Sequence, residues 1–282
     1  MKFFNSDAGS PRLGLAYGPG LLEFLDSNSG VVDYIEVPFE QLRHTPEVAS
    51  VQEILPIVLH CASMSVAGFI PPSETTLDAI GREIQRTRTP WIGEHLAFVS
   101  ADGITEAPDR DVTPTNLTYT LCPQLSEETI DRVAENLAML RPLFDVPIIL
   151  ENSPQYFAIP GSTMNLVDFV GEVLSRCDIG LLLDLSHFAI TSLNTGVDAV
   201  EQLERLPLER VVEIHVSGYT TQSGVVWDDH AAPAPPLVFE LLERVMTRSR
   251  PLALTMEYNW TVFPQSILLQ HIARTRDVLS RT

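Results

Sequence analysis

The tightest constraint on the fold is an alternation that runs the length of the 282-residue chain. Short apolar stretches rich in aliphatic residues at 13–17, 33–37, 54–60, 90–99, 146–152, 179–185, 210–216 and 251–258 read as eight buried strands. Between them, the stretches 45–55, 73–87, 126–144, 162–177, 197–206, 235–249 and 265–279 carry the spacing of amphipathic helices. The 126–144 stretch opens on SEET, an N-cap signal. Strands alternating with helices, with no linker or low-complexity segment, predict parallel βα units in one domain spanning 1–282. Closure into an α/β (β/α)8 TIM barrel is the expected architecture, and a doubly wound open sheet is the alternative. AYGPGLLEF (16–24), after the first strand, is only a Gly-Pro-Gly turn and gives no support for dinucleotide binding. The connection at 100–125, after the fourth strand, has the length of a lid.

In such a barrel the chemistry gathers at the C-terminal ends of the strands, and the polar residues of this chain accumulate there. His60 closes the third strand and His95 lies within the fourth. Glu151 and Asn152 close the fifth, Asp184 and His187 the sixth, and His215 the seventh. Asp228 and His230 sit in the WDDHAAP loop that follows (227–233), and Glu257 closes the eighth strand. Each residue alone has an ordinary structural reading. Together, five imidazoles and four carboxylates at one barrel mouth would bury charge at severe cost without a cation. The chain has only 18 Lys and Arg, so metal is the simplest balance. Mixed imidazole and carboxylate ligands suit Zn, Mn or Fe, and nine ligands exceed what one ion takes. Two or three ions, roughly 3.5–4 Å apart, would use the whole set.

The net charge of −19 disfavours nucleic acid as a partner. No apolar run is long enough to span a membrane, and MKFFNSDAGS has no secretory pattern. Three widely spaced cysteines, Cys61, Cys122 and Cys177, point to a reducing cytoplasm.

The order His60, His95, Glu151, Asp184-x-x-His187, His215, Asp228-x-His230, Glu257 resembles the trinuclear site of endonuclease IV and its xylose-isomerase-like barrel relatives. The local stretches LHCASMSVAG (59–68), GEHLAF (93–98), LENSPQYF (150–157), LLLDLSHFAI (181–190) and EIHVSGY (213–219) are more closely similar to domain-of-unknown-function family 692. This is the family of multinuclear non-haem iron-dependent oxidative enzymes, which includes the methanobactin-biosynthesis oxidase. The resemblance runs from Leu13 to about Trp260 and implies a TIM barrel with two or three irons, Fe2+ or Fe3+, held by the nine residues above. It implies Asn152 as a further ligand or substrate contact. It also implies use of O2 to modify a residue, usually cysteine, in a ribosomally made precursor peptide, with a second protein gripping the leader peptide. Many relatives carry Asn-Asn after the strand-six aspartate; Ser186-His187 here favours a third metal. The strand-two stretch YIEVPFEQL (34–42) departs from the family's His-, Glu- and Asn-rich pattern, with Glu36 left to face the barrel. The rival functions are a divalent-metal sugar isomerase or epimerase, an endonuclease IV-like hydrolase, and a non-catalytic metal-dependent scaffold.

Overall fold

The computed structural model describes residues 10–42, 48–101 and 115–281. Its elements begin with β1 (Arg12–Ala16), α1 (Leu21–Ser27), β2 (Tyr34–Pro38), α2 (Phe39–Leu42), α3 (Val48–Ile54), β3 (Ile57–Cys61) and α4 (Glu74–Thr87). They continue through β4 (Ile92–His95), β5 (Phe98–Ala101), β6 (Thr115–Leu121), α5 (Glu127–Leu140), β7 (Ile148–Glu151), α6 (Leu166–Cys177), β8 (Gly180–Asp184) and α7 (Leu185–Thr195). The last are α8 (Ala199–Arg205), β9 (Val211–Ser217), β10 (Thr220–Gln222), β11 (Val225–Trp227), α9 (Pro236–Arg248), β12 (Ala253–Glu257) and α10 (Gln265–Ser280).

Strands β1, β2, β3, β4, β7, β8, β9 and β12 close in that order into a parallel barrel, which rules out the open sheet. β2, β3, β7 and β8 are buried on both faces almost throughout, as expected of strands covered by helices outside and packed side chains inside. One large apolar cluster, with Leu13, Leu15, Ile35, Val37, Phe169 and Phe239 among its members, fills the space between sheet and helices. A smaller one, formed by Tyr34, Val58, Trp91, Ile149, Leu182 and Ala253, lies apart from it.

The two-residue period of a strand places the chemistry directly above that smaller cluster. Two positions on from Tyr34, Val58, Ile149 and Leu182 stand Glu36, His60, Glu151 and Asp184. The same step takes Gly93 to His95 and Glu213 to His215.

The structure corrects the sequence reading in several places. The 90–99 run is not one strand: β4 stops at His95, and β5 leaves the barrel to pair antiparallel with β6. The expected lid at 100–125 therefore begins and ends as a hairpin, and its middle, 102–114, lies outside the described residues. His187 is not at a strand end. The sixth barrel strand stops at Asp184, which caps α7, and His187 sits in the first turn of that helix. α7 shows no amphipathic period because its polar residues are buried along with its apolar ones: Ser186, His187, Thr191 and Ser192 are as covered as Leu185, Phe188, Ala189 and Ile190. Ser126 does cap α5, but it accepts from the backbone N–H of Thr129, with no reciprocal glutamate at that position.

Candidate metal centre

The barrel brings nine polar side chains together at its C-terminal rim. They form overlapping groups whose candidate ligand atoms lie within 4.8 Å of one another: His60, His95 and Glu151; Asp184, His215 and Glu257; His187, Asp228 and His230; and Glu151, Asp184 and His187.

Glu151 stands at the middle. Its Oε2 is 2.8 Å from His95 Nδ1 and 3.1 Å from His60 Nε2, and those two rings approach to 3.1 Å, Nε2 to Nε2. Its Oε1 is 3.1 Å from His187 Nδ1 and 3.7 Å from His215 Nδ1. His215 Nδ1 is also 3.2 Å from Glu257 Oε2. On the far side, Asp228 lies between two rings: Oδ2 is 3.0 Å from His187 Nε2 and Oδ1 is 3.0 Å from His230 Nε2.

Local structure sets these positions. Asp184 Oδ1 accepts the backbone N–H of His187 at 2.6 Å, starting α7, while Oδ2 is left facing the cluster. The Asn152 side chain is engaged by the Asp184 backbone, donating to its carbonyl and accepting from its N–H, both at 2.9 Å. It thereby ties the ends of β7 and β8 together rather than reaching into the cluster. The backbone carbonyl of Asn152 lies 3.0 Å from His187 Nδ1; a proton held there leaves Nε2 facing Asp228. Ser186 pins α7 to β9 through paired 2.8 Å bonds with the Ser217 backbone. Gly93 is bare for a reason: a Cβ there would stand 2.7 Å from His60 Nδ1. The β10–β11 hairpin, unforeseen in the sequence because each strand has only three residues, delivers Asp228 and His230. His230 holds φ at +55°, sparsely populated for a non-glycine residue, with its carbonyl accepting from Asn259 N–H at 3.0 Å.

The electrostatics are those of a site short of cations. Burial would lower the His60 pKa, but the Glu151 and Glu36 carboxylates outweigh it and push the ring up to about 10. His230 rises to about 10 against burial because of Asp228. Glu151 and Asp228, despite burial, are held well below the usual carboxylate range by the imidazoles around them. Asp184 goes the other way, up to about 7, since burial and the neighbouring carboxylates outweigh His187.

His95 Nδ1, both oxygens of Glu151, Asp184 Oδ2, His215 Nδ1, Asp228 Oδ1 and His230 Nε2 are buried and have no hydrogen-bond partner. Their mutual distances are short, yet they do not pair as hydrogen bonds. Orphaned nitrogens and oxygens converging in this way fit metal ions, and the absence of a cysteine from these groups fits an N/O-ligated centre.

The sequence reading missed Glu213, a fully buried carboxylate one pleat below His215. The EIH spacing was its signal, since residues two apart share a strand face.

A closed parallel barrel with a carboxylate–imidazole cluster at its C-terminal rim defines a TIM-barrel enzyme class with room for several metals. The model of the RiPP precursor modification enzymes MbnB/TglH/ChrH matches residues 12–280, and the chain belongs to that family. It is 29 % identical over 265 residues to a UPF0276 protein of Caulobacter vibrioides, covering 92 % of this chain and 91 % of the relative. It is 30 % identical over 279 residues to UPF0276 protein PA3283 of Pseudomonas aeruginosa, covering 95 % and 93 %. Among solved structures, endonuclease IV from Thermus thermophilus superposes with a TM-score of 0.56 at 17 % identity, covering 96 % of this chain and all of that one. The 3-keto-D-glucoside 4-epimerase of E. coli superposes with a TM-score of 0.58 at 13 % identity, covering 95 % and 99 %. At such identities these two likenesses show the shared barrel alone.

Proposed function

We propose that this chain is a multinuclear non-haem iron-dependent oxidase, working as one barrel domain, that uses O2 to modify a cysteine in a ribosomally made precursor peptide. The observation that carries the reading is the convergence of nine imidazoles and carboxylates, with unpartnered buried atoms on His95, Glu151, Asp184, His215, Asp228 and His230, in a chain of the RiPP precursor modification family. We assign His60, His95, Glu151, Asp184, His187, His215, Asp228, His230 and Glu257 as the ligands, and Asn152 as the residue that orients Asp184 and His187. Iron held there would supply one-electron exchange with O2 and a Lewis-acidic seat for a substrate thiolate.

The chain's own residues do the rest. The backbone carbonyl of Asn152 holds the His187 proton at Nδ1, and buried walls beneath the cluster keep bulk water out. Exposed apolar side chains stand on the segments that follow the barrel strands toward the rim: Phe69, Tyr119, Leu121, Phe157, Trp227 and Val262. An apolar rim around a polar centre suits an extended peptide held by a separate leader-binding protein. Among the described residues no helix is long and apolar enough to cross a membrane. The three free cysteines accord with the reducing cytoplasm where a precursor peptide would be met.

The reading is tested by coexpression with a cysteine-containing precursor peptide and its leader-binding partner, followed by mass spectrometry. A mass change that requires iron and O2 is expected. Stoichiometric zinc in the purified protein, with no peptide modification after iron reconstitution, refutes the oxidase and favours a hydrolase or isomerase. His187→Ala should remove one ion and most turnover, and unchanged metal content in that variant would refute its assignment as a ligand.

Metal uptake should also release protons. His60 and His230, with pKa values raised to about 10, are charged at pH 7 in the metal-free protein, and ligation needs them neutral. Loading in weak buffer should acidify the solution, and affinity should fall as pH is lowered. In the metal-free protein the same raised values stabilise the fold fully below about pH 6.5, a contribution lost as pH climbs through about 10.

A further inference from the structure

Beside and beneath the nine side chains lie further buried polar groups that the proposed centre does not use. Glu36, on β2, is 1 % exposed, and Glu213 on β9 and Thr255 on β12 are fully buried. His215 stands between these groups and the rim cluster. Its Nδ1 has no hydrogen-bond partner and faces Glu257 and Glu151. Its Nε2 is 3.0 Å from Glu36 Oε2. In a neutral imidazole one nitrogen carries the proton and the other the lone pair, and a ligand needs the lone pair toward the metal. An acceptor at Nε2 therefore decides that Nδ1 is free.

Glu36, Glu213 and His215 also lie within 4.8 Å of one another and could be taken for one more cation site. The partners of Glu213 speak against that. Its Oε1 accepts from Tyr34 Oη–H at 3.0 Å and from Thr255 Oγ1–H at 2.8 Å, and its Oε2 accepts from Trp91 Nε1–H at 2.7 Å. The indole N–H is a donor only and cannot turn to accommodate a cation. These donors occupy the lone pairs a metal would need. Thr255 Oγ1 is also 2.7 Å from Tyr34 Oη, so the two hydroxyls share their protons between each other and Glu213.

We propose that Glu36 is the positioning residue of His215: it holds the Nε2 proton, so that Nδ1 is the nitrogen presented to the metal, and the Glu213–Tyr34–Trp91–Thr255 network is its proton-satisfied floor and not another metal site. This inference rests on the reading of the rim cluster as a metal centre. A carboxylate behind a ligating imidazole orients the ring and raises its basicity, and losing such a partner lowers metal affinity about 10–100-fold.

The test uses Zn2+ alone, in competition with a chromophoric chelator, on the full chain and on Glu36→Gln, Glu36→Ala and His215→Ala. Glu36→Ala should weaken one Zn2+ by about 10–100-fold. Glu36→Gln, which keeps an acceptor without the charge, should lie between it and the wild type. Long-range 1H–15N spectra of the Zn2+-loaded wild type should show His215 protonated at Nε2, its signal assigned by its loss in His215→Ala. That spectrum needs no variant at Glu36 to fold. Loss of an ion in His215→Ala with none weakened in Glu36→Ala overturns this inference and leaves the metal centre standing. A His215 ring protonated at Nδ1 does the same. A wild type that takes up no Zn2+, or equal uptake by His215→Ala, overturns this inference together with the placing of a metal at His215.

Discussion

Glu151→Ala should strip at least two ions from the chain, the largest single loss expected of any ligand. The reason is geometric. Its Oε2 serves the His60–His95 side, at 3.1 and 2.8 Å, and its Oε1 serves the side of His187 and His215, at 3.1 and 3.7 Å. On the proposed reading a carboxylate between two groups of imidazoles would serve both, and removing it would open both groups at once. Partners behind the ligands are already worth about 10–100-fold, so turnover on the precursor peptide should fall by more than about 100-fold. Metal analysis of protein purified under argon measures the first effect and peptide mass spectrometry the second. Loss of a single ion would show that the two carboxylate oxygens do not serve separate metals. The metal-free variant should also be less stable than the metal-free wild type near neutral pH. Glu151 helps raise the pKa of His60 to about 10, and without it a buried imidazole loses the partner that keeps it charged.

The second large effect is expected from a residue with no functional side chain. In Gly218→Ala, the new Cβ would stand 1.8 Å from the backbone oxygen of Ala232, 2.5 Å from its carbonyl carbon and 2.7 Å from that of Pro233. Backbone cannot swing aside as a long side chain can, so the 228–233 segment must shift. That segment carries Asp228 and His230, and His230 is already held at a positive φ. A displacement of this kind costs about 1–3 kcal/mol of stability. It also moves two members of the His187–Asp228–His230 group. The variant should lose one ion while the ions at His60, His95 and Glu151 remain, together with a clear drop in Tm. Full metal content would mean that the loop relaxes without moving its ligands. A misplacement of about 1 Å at a reacting centre can by itself cost about 100-fold in rate. Activity should therefore fall further than stability alone predicts.

Much of the site is legible in the residues. His60, Glu151, Asp184, His215 and Glu257 could be read as rim positions because each lies at or beside the end of an apolar run. Strand periodicity is local, and the side chain two positions up the same face is set by the pleat itself. The sequence places His187 with the other rim residues but on the wrong element, because a helix that buries polar and apolar residues alike has no amphipathic period to mark it. Asn152 is expected from the resemblance to be a ligand or substrate contact, and only the tertiary structure shows its amide bonded to the Asp184 backbone. Glu213 was passed over because it looks in sequence like any acidic residue on a strand, and its three donors come from β2, β12 and the residue before β4.

Sequence alone therefore determined the eight-fold alternation, the identity and order of the polar residues at the strand ends, and the shortage of cations to balance them. These are local properties: period, composition and spacing along one chain. Closure of the barrel decided the rest. It grouped nine side chains into overlapping sets around Glu151, set which nitrogen of His215 faces them, and separated the unsatisfied carboxylates at the rim from the hydrogen-bonded Glu213 below. Those distinctions are distances and donor directions between strands far apart in sequence, and they exist only once the first strand has paired with the last.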